Sequence, residues 1–253
     1  DSVAINDGNS GNNYTTALAG NNTSTITKAN LTLSLTADLT GTVSKIYDGT
    51  NAATLAADNY SLSGIATNDT VTLNNPTSGT YDTKDVGTGK TVTVTGLDIS
   101  GPDATNYSLS STSISGAVGT ITHYAVSMTG SRTYNGTANV AAGIFTLRNL
   151  VSGETLTLAG SGTVANKNVG TAKAVTLGTL ALGNGTGLAS NYTFIGGTQT
   201  TDITQAMLTV SAAGHNKVYD ATATASVSLS DNRIGSDALT LAYGSAAFND
   251  RNA

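Results

Sequence analysis

The sequence predicts an all-β chain: small antiparallel β-sandwich modules of the immunoglobulin-like kind, about 85 residues each, strung end to end. β-Grasp-like modules are the alternative. Three observations carry this. Charged residues are only 11% of 253, against roughly 25% in an ordinary soluble domain. Polarity comes instead from Thr, Ser, Asn and 29 Gly, and Glu154 is the only Glu, a composition poor for surface helices and good for strands and turns. Short runs alternate apolar and polar residues with period two, the pattern of a strand with one buried face.

In chain order these runs are Leu31-Thr32-Leu33-Ser34-Leu35, Val71-Thr72-Leu73 and Thr91-Val92-Thr93-Val94-Thr95. Leu156-Thr157-Leu158, Val175-Thr176-Leu177, Leu208-Thr209-Val210 and Leu239-Thr240-Leu241 follow. Thr on the wet face keeps the β-branch without adding charge. Gly- and Asn-rich breaks separate the runs, as all-β modules require. Ala52–Ala57 is the best helix candidate, and it is short.

Composition also excludes functions. Net charge is −5 with no cluster of Lys or Arg, so the basic footprint of a nucleic-acid binder is missing. The absence of Cys removes disulfides, thiolate metal sites and cysteine nucleophiles. Asp1-Ser2-Val3-Ala4-Ile5 has no signal-peptide character. No apolar run approaches the ~18 residues of a membrane span, so no membrane partner is expected.

Four markers recur in a fixed order. Tyr47-Asp48-Gly49-Thr50 returns as Tyr134-Asn135-Gly136-Thr137 and Tyr219-Asp220-Ala221-Thr222, 87 and then 85 residues on. Lys84-Asp85-Val86-Gly87-Thr88 returns as Lys167-Asn168-Val169-Gly170-Thr171. Asn-Tyr appears at Asn13-Tyr14, Asn106-Tyr107 and Asn191-Tyr192, and Ile-Thr closes each unit at Ile26-Thr27, Ile121-Thr122 and Ile203-Thr204. Cuts near Lys28, His123 and Gln205 give complete modules at 29–123 and 124–205. Residues 1–28 read as the C-terminal part of a preceding module and 206–253 as the N-terminal part of a following one. Both ends are expected to fall inside modules of a longer protein.

Asp-Gly suits a tight turn because Gly tolerates positive φ and the Asp oxygen bonds nearby amides. The Tyr before it folds its ring onto the core. Asn135 serves the turn as well as Asp48, whereas acid or metal chemistry would not survive that exchange. Ala221 resists positive φ, so the third turn is of another type or strained. Tyr47, Tyr134 and Tyr219 are each expected to be largely buried. Basic residues stand two positions before them (Lys45, Arg132, Lys217) and at the second marker (Lys84, Lys167, Arg251). They predict edge or cross-strand charge pairs; a Lys–Asn isopeptide bond is disfavoured because Arg cannot form one.

No catalytic, cofactor-binding or metal-binding residues are assigned. His123 and His215 show no triad or zinc spacing. Asp7, Asn9 and Asn13 lack the closing carboxylate of a calcium loop, so that stretch reads as a polar turn.

The ordered marker set resembles the YDG-type repeats of large bacterial surface proteins, found in filamentous-haemagglutinin-like adhesins beside the related MBG repeats. The likeness spans essentially the whole chain. It implies a non-enzymatic, extracellular structural array at the bacterial cell surface, a stalk or fibre segment serving surface display, adhesion or biofilm cohesion, with no cofactor. Neighbouring modules are its expected partners, and its host or matrix ligand is unassigned. A carbohydrate- or matrix-binding array is one alternative, disfavoured because no Trp is present and most Tyr belong to markers. A glycosidase would need an inward acid pair, which no marker supplies. A further alternative is a filament in which residues 206–253 of one chain are completed by residues 1–28 of an identical chain, head to tail.

Overall fold

A computed structural model describes residues 33–235 and 237–251, together with positions 8, 9 and 20. Among them there is no α-helix; the strands are short and the helical turns are 3-10. The first ten strands are Leu33–Leu39 (β1), Val43–Ile46 (β2), Ala52–Thr54 (β3), Tyr60–Ser63 (β4), Thr72–Leu73 (β5), Ser78–Tyr81 (β6), Gly87–Thr95 (β7), Ile99–Ser100 (β8), Tyr107–Leu109 (β9) and Ser113–Thr122 (β10). The next ten are Tyr124–Ala125 (β11), Ser127–Thr133 (β12), Asn139–Ala141 (β13), Phe145–Arg148 (β14), Leu156–Ala159 (β15), Ser161–Val164 (β16), Gly170–Thr176 (β17), Ala181–Asn184 (β18), Tyr192–Thr193 (β19) and Gln199–Thr204 (β20). Val210–Gly214 (β21) and Val227–Asp231 (β22) form a final antiparallel hairpin. Ala52–Ala57, the helix candidate, instead supplies β3 and the start of a 3-10 turn at Ala57–Asn59. Leu31 and Thr32, the start of the first predicted strand, lie outside the described residues.

The expectation of purely antiparallel modules is corrected. Strand β2 pairs in parallel with β10, and β1 with β9. The same holds for β12 with β20 and β11 with β19. Parallel neighbours need a long crossover; here everything between the first and last strands of a repeat serves as one. Around these pairs the first half builds a five-stranded sheet, β2-β10-β7-β6-β3, and a three-stranded sheet, β4-β1-β9. The second half joins most of the equivalent strands into six, β13-β16-β17-β20-β12-β14, and leaves β11 and β19 as a pair of their own.

Register explains the difference. Leu33 pairs with Tyr107 as Tyr124 pairs with Tyr192, and Leu39 pairs with Tyr60 as Gly130 pairs with Phe145. From Leu39 the chain takes eight residues to reach Tyr47; from Gly130 it takes four to reach Tyr134. The additional residues, including Gly41 at φ 67°, break the first-half strand into β1 and β2 in separate sheets. Strand β12 runs through unbroken.

The core does not stop at the boundary near His123. Val43, Tyr47, Tyr81, Val92, Val94 and Ile121 form one buried cluster with Val126 and Tyr192 from the second half. A separate cluster of Val140, Val164 and Ile203 fills the six-stranded sheet.

Candidate functional site

The Tyr-Asp-Gly-Thr turns are built alike three times. Asp48 Oδ1 accepts from the Thr50 amide (2.8 Å), the Thr50 hydroxyl (2.9 Å) and Lys45 Nζ (2.8 Å), while Lys45 also donates to the Thr50 carbonyl. Asn135 receives the same three groups from Thr137 and Arg132, and Asp220 from Thr222 and Lys217. Lys45, Arg132 and Lys217 therefore clamp their own turn, which corrects the cross-strand pairing expected of them. Lys217, with help from Thr222, pulls the Asp220 carboxyl down to about 2. The residue after the Asp or Asn has φ 80° at Gly49, 77° at Gly136 and 63° at Ala221. Of the two options for Ala221, it is the strained one: the same turn with a side chain in the left-handed region.

Such a rigid turn fixes the direction of the Tyr before it. Tyr47, 1% exposed, sends its hydroxyl out of its own repeat and donates to Glu154 Oε1 at 2.6 Å. Lys84, from the second marker, donates to the Tyr47 hydroxyl at 2.8 Å and to Glu154 Oε1 at 3.1 Å. Tyr192, from the Asn-Tyr marker of the following repeat, donates to Glu154 Oε2 at 2.6 Å and packs edge-on against the Tyr47 ring, 5.5 Å between centroids. Asn191, also 1% exposed, bridges the same surfaces. Its amide donates to Asp85 Oδ1 and its oxygen accepts from the Val86 amide. Asn191 is the last residue of a 3-10 turn, Ala189–Asn191, and Tyr192 caps it.

The chemistry is balanced. Burial pushes the Glu154 carboxyl up, but hydrogen bonds from Tyr192, Tyr47 and Lys84 outweigh it and hold the group below its ordinary value. Tyr47 and Tyr192 are raised, first by burial and then by the Glu154 carboxylate they face. Lys84 is raised by its bonds to Tyr47 and Glu154. A carboxylate engaged on both oxygens by donors is a lock between surfaces rather than a free acid or base.

A second joint repeats the pattern. Tyr134 donates to Asp237 at 2.7 and 2.9 Å, and Lys167 donates to Asp237 at 2.5 Å. The Lys167 ammonium, then the Tyr134 hydroxyl, depress the Asp237 carboxyl. In the first repeat Asp69 holds the matching place. Tyr107 donates to Asp69 at 2.6 Å and accepts from the Ala66 amide, as Tyr192 does with Glu154 and the Val151 amide.

The sequence reading thus found the tyrosines, lysines and asparagines of the joints but missed their acids. A signal existed: Asp69, Glu154 and Asp237 each stand two residues before a Val/Leu-Thr-Leu run, although the last of these, Leu239-Thr240-Leu241, forms no strand, contrary to the expectation from its alternation. Of the predicted marker residues, Tyr47, Val86, Asn191 and Tyr192 converge on the first joint. Tyr134 and Val169 lie at the second, Tyr107 bonds Asp69, and Asn106 ends the 3-10 turn Ala104–Asn106 just before it. Gly87 and Gly170 open β7 and β17. Burial of all three marker tyrosines does not hold. Tyr134 is half-buried, and Tyr219 is 61% exposed because no second tyrosine or acid covers it among the described residues. Asp7, Asn13 and Tyr14 lie outside the described residues.

Two joints built from the same residue types, one between the two complete repeats and one between the second repeat and the residues after it, define a repeat protein coupled by its own marker residues. The YDG domain matches the chain twice, at residues 27–114 and 119–201, together about two thirds of its length, and the chain belongs to the YDG domain family. No curated protein and no solved structure matches it.

Proposed function

We propose that the chain is an extracellular, non-enzymatic structural array, a stalk or fibre segment of a bacterial adhesin that displays a binding region or gives cohesion between cells. Each YDG copy serves as a small β-sandwich unit, strung end to end at 29–123 and 124–205. The observation that carries this reading is the buried joint of Tyr47, Lys84, Glu154, Asn191 and Tyr192, which welds one copy to the next through a continuous core. An array that must hold distance or bear tension needs couplings of this kind, since polar contacts alone leave neighbouring domains free to move. The low charge and the Thr- and Asn-rich surface suit a long polar rod.

The test is location. Antibodies against the folded array should label intact, unpermeabilised producer cells, and protease shaving should release it. Labelling only after permeabilisation overturns the reading.

A further inference from the structure

The sequence holds two Asn-Gly-Thr tripeptides, Asn135-Gly136-Thr137 and Asn184-Gly185-Thr186, and the fold treats them differently. At the first, Asn135 Oδ1 accepts from Arg132 Nη1 at 2.6 Å, the Thr137 hydroxyl at 3.1 Å and the Thr137 amide at 3.2 Å. Asn135 is exposed, and among the described residues the Gly136 amide has no acceptor. At the second, Asn184 Oδ1 accepts from the Ala189 amide at 2.8 Å, and among the described residues no cation bonds it. The Gly185 amide there is tied to the Gly187 carbonyl at 3.1 Å. Arg132 supplies an independent observation. Its Nε is buried without a hydrogen-bond partner, and among the described residues no carboxylate pairs with its guanidinium. The lysines in the same place, Lys45 and Lys217, each face a carboxylate at 2.8 Å. Thr50 and Thr222 hold their Asp at 2.8–3.0 Å, against 3.1–3.2 Å from Thr137 to Asn135. The second turn is thus built around a negative charge that its asparagine does not carry.

We propose that Asn135 is a self-modification site, which its own turn converts to aspartate by deamidation through a succinimide. The Gly136 nitrogen gives its proton to hydroxide from the solvent and attacks Asn135 Cγ, with no Cβ on the glycine to crowd the approach. Negative charge gathers on Oδ1, where Arg132 and Thr137 already aim three donors, and donors placed at a developing oxyanion lower its barrier. The Cγ–Nδ2 bond then breaks, and Nδ2 takes a proton from water and leaves as ammonia. Water opens the succinimide that remains. Attack at Cγ gives aspartate and the ordinary main chain; attack at the backbone carbonyl gives isoaspartate, with an added carbon in the chain. The same donors polarise the Cγ carbonyl of the ring, so the first route prevails. The product carries a carboxylate where Asp48 and Asp220 stand and seats it against the unpaired Arg132 guanidinium. The inference does not rest on where the array is displayed.

The experiment incubates the whole folded chain in mildly alkaline buffer and follows both asparagines by peptide mass mapping, with fragmentation that separates aspartate from isoaspartate. Rates in urea, where the fold imposes nothing on the two identical tripeptides, set the reference. In the folded chain Asn135 should convert ahead of Asn184 and yield mainly aspartate. Arg132→Gln should slow Asn135 about tenfold, the worth of one charge-assisted hydrogen bond to a developing anion. It should also raise the isoaspartate share and leave Asn184 unchanged. Arg132→Lys, which places at this turn the residue used at the other two, should restore both the rate and the aspartate yield. Melting curves show which variants are folded; if Arg132→Gln is not, Thr137→Val removes the hydroxyl donor alone and should slow Asn135 in the same sense. Folded Asn184 converting as fast as Asn135 overturns the proposal. So does a product that is mainly isoaspartate, or a rate at Asn135 that a folded donor variant leaves unchanged.

Discussion

The joint around Glu154 and the joint around Asp237 use the same residue types, yet Tyr47 is 1% exposed and Tyr134 remains half-buried. Their Tyr-Asp-Gly-Thr turns and lysines are equivalent, so neither marker accounts for the difference. Asn191 and Tyr192 do. They close the first joint by covering Tyr47 and bridging Asp85 to Val86, and among the described residues the second has no such pair. A YDG tyrosine is thus buried by the Asn-Tyr marker of the following repeat, not by its own repeat alone. The hydrogen bond to the acid forms in both cases, so the polar contact does not depend on a closed apolar wall.

The largest break in this comparison should come from removing the tyrosines. Tyr47→Ala is expected to cost about 4 kcal/mol, the range of a large aromatic truncated in a core. Tyr134→Ala should cost roughly half as much, in proportion to its lesser burial. Urea unfolding of the full chain reads both. Adding Tyr192→Ala should erase most of the gap, because it opens the first joint; a gap that survives would place the burial of Tyr47 elsewhere.

Glu154→Gln sharpens the same contrast with little change of shape. The amide keeps an acceptor for one tyrosine, but the Lys84 ammonium loses its counter-charge and the other hydroxyl faces an N–H. A loss of about 2 kcal/mol is expected, as for a hydrogen bond to a charged group. Asp237→Asn should cost less, since that carboxylate is more open to water, 21% exposed against 13% for Glu154, while the lysines are alike at 44% and 42%. Added salt should weaken the parent's second joint more than its first.

Titration should show a plateau with two edges. Glu154 is depressed from its ordinary 4.5, so its contribution is complete above that value and is lost as pH falls through the lowered one. Tyr47 and Tyr192 are raised from 10.0 and Lys84 from 10.5. Their contributions are complete below those values and are lost as pH rises through the raised ones. Melting temperature should therefore hold from about pH 5 to about pH 9 and fall on either side. In Glu154→Gln the acid edge should flatten. An unchanged acid edge would mean that other carboxylates, such as the turn clamp at Asp48, set it.

Much of this was legible in the sequence, for physical reasons that differ from residue to residue. Alternation in Thr91–Thr95 fixed which residues enter the core because a strand has only two faces, and Val92 and Val94 are fully buried. The markers were visible because turn geometry tolerates few residue types. Glu154 was visible as the only Glu, but its role was not, because its partners lie 107 and 70 residues upstream and 38 downstream. Parallel pairing of β2 with β10 was equally hidden: a strand's own pattern says which face is wet, not which direction its neighbour runs. The fused six-stranded sheet depended on the shorter path from Gly130 to Tyr134, a difference in length that no residue type announces.

The smallest expected effect concerns the turn itself and compares the third copy with the first two. Ala221 adopts φ 63° where Gly49 and Gly136 adopt 80° and 77°. A side chain in the left-handed region costs about 1–2 kcal/mol, and a glycine there costs about 0.5–1 kcal/mol through the freedom it has when unfolded. Ala221→Gly should therefore stabilise the C-terminal hairpin region by about 0.5 kcal/mol, read as slower hydrogen exchange at the Thr222 amide, which is held by Asp220. The reverse changes should not be equivalent to each other. A Cβ at Gly49 would meet Val151 Cγ1 at 2.9 Å, across the closed joint, whereas at Gly136 it would meet Ile234 Cγ2 at 3.1 Å beside an open cavity, where a neighbour has room to shift. Gly49→Ala should then cost more than Gly136→Ala, by an amount that reports how tightly the first joint is closed. Equal costs would mean that the backbone turn alone, and not the facing repeat, sets the demand for glycine.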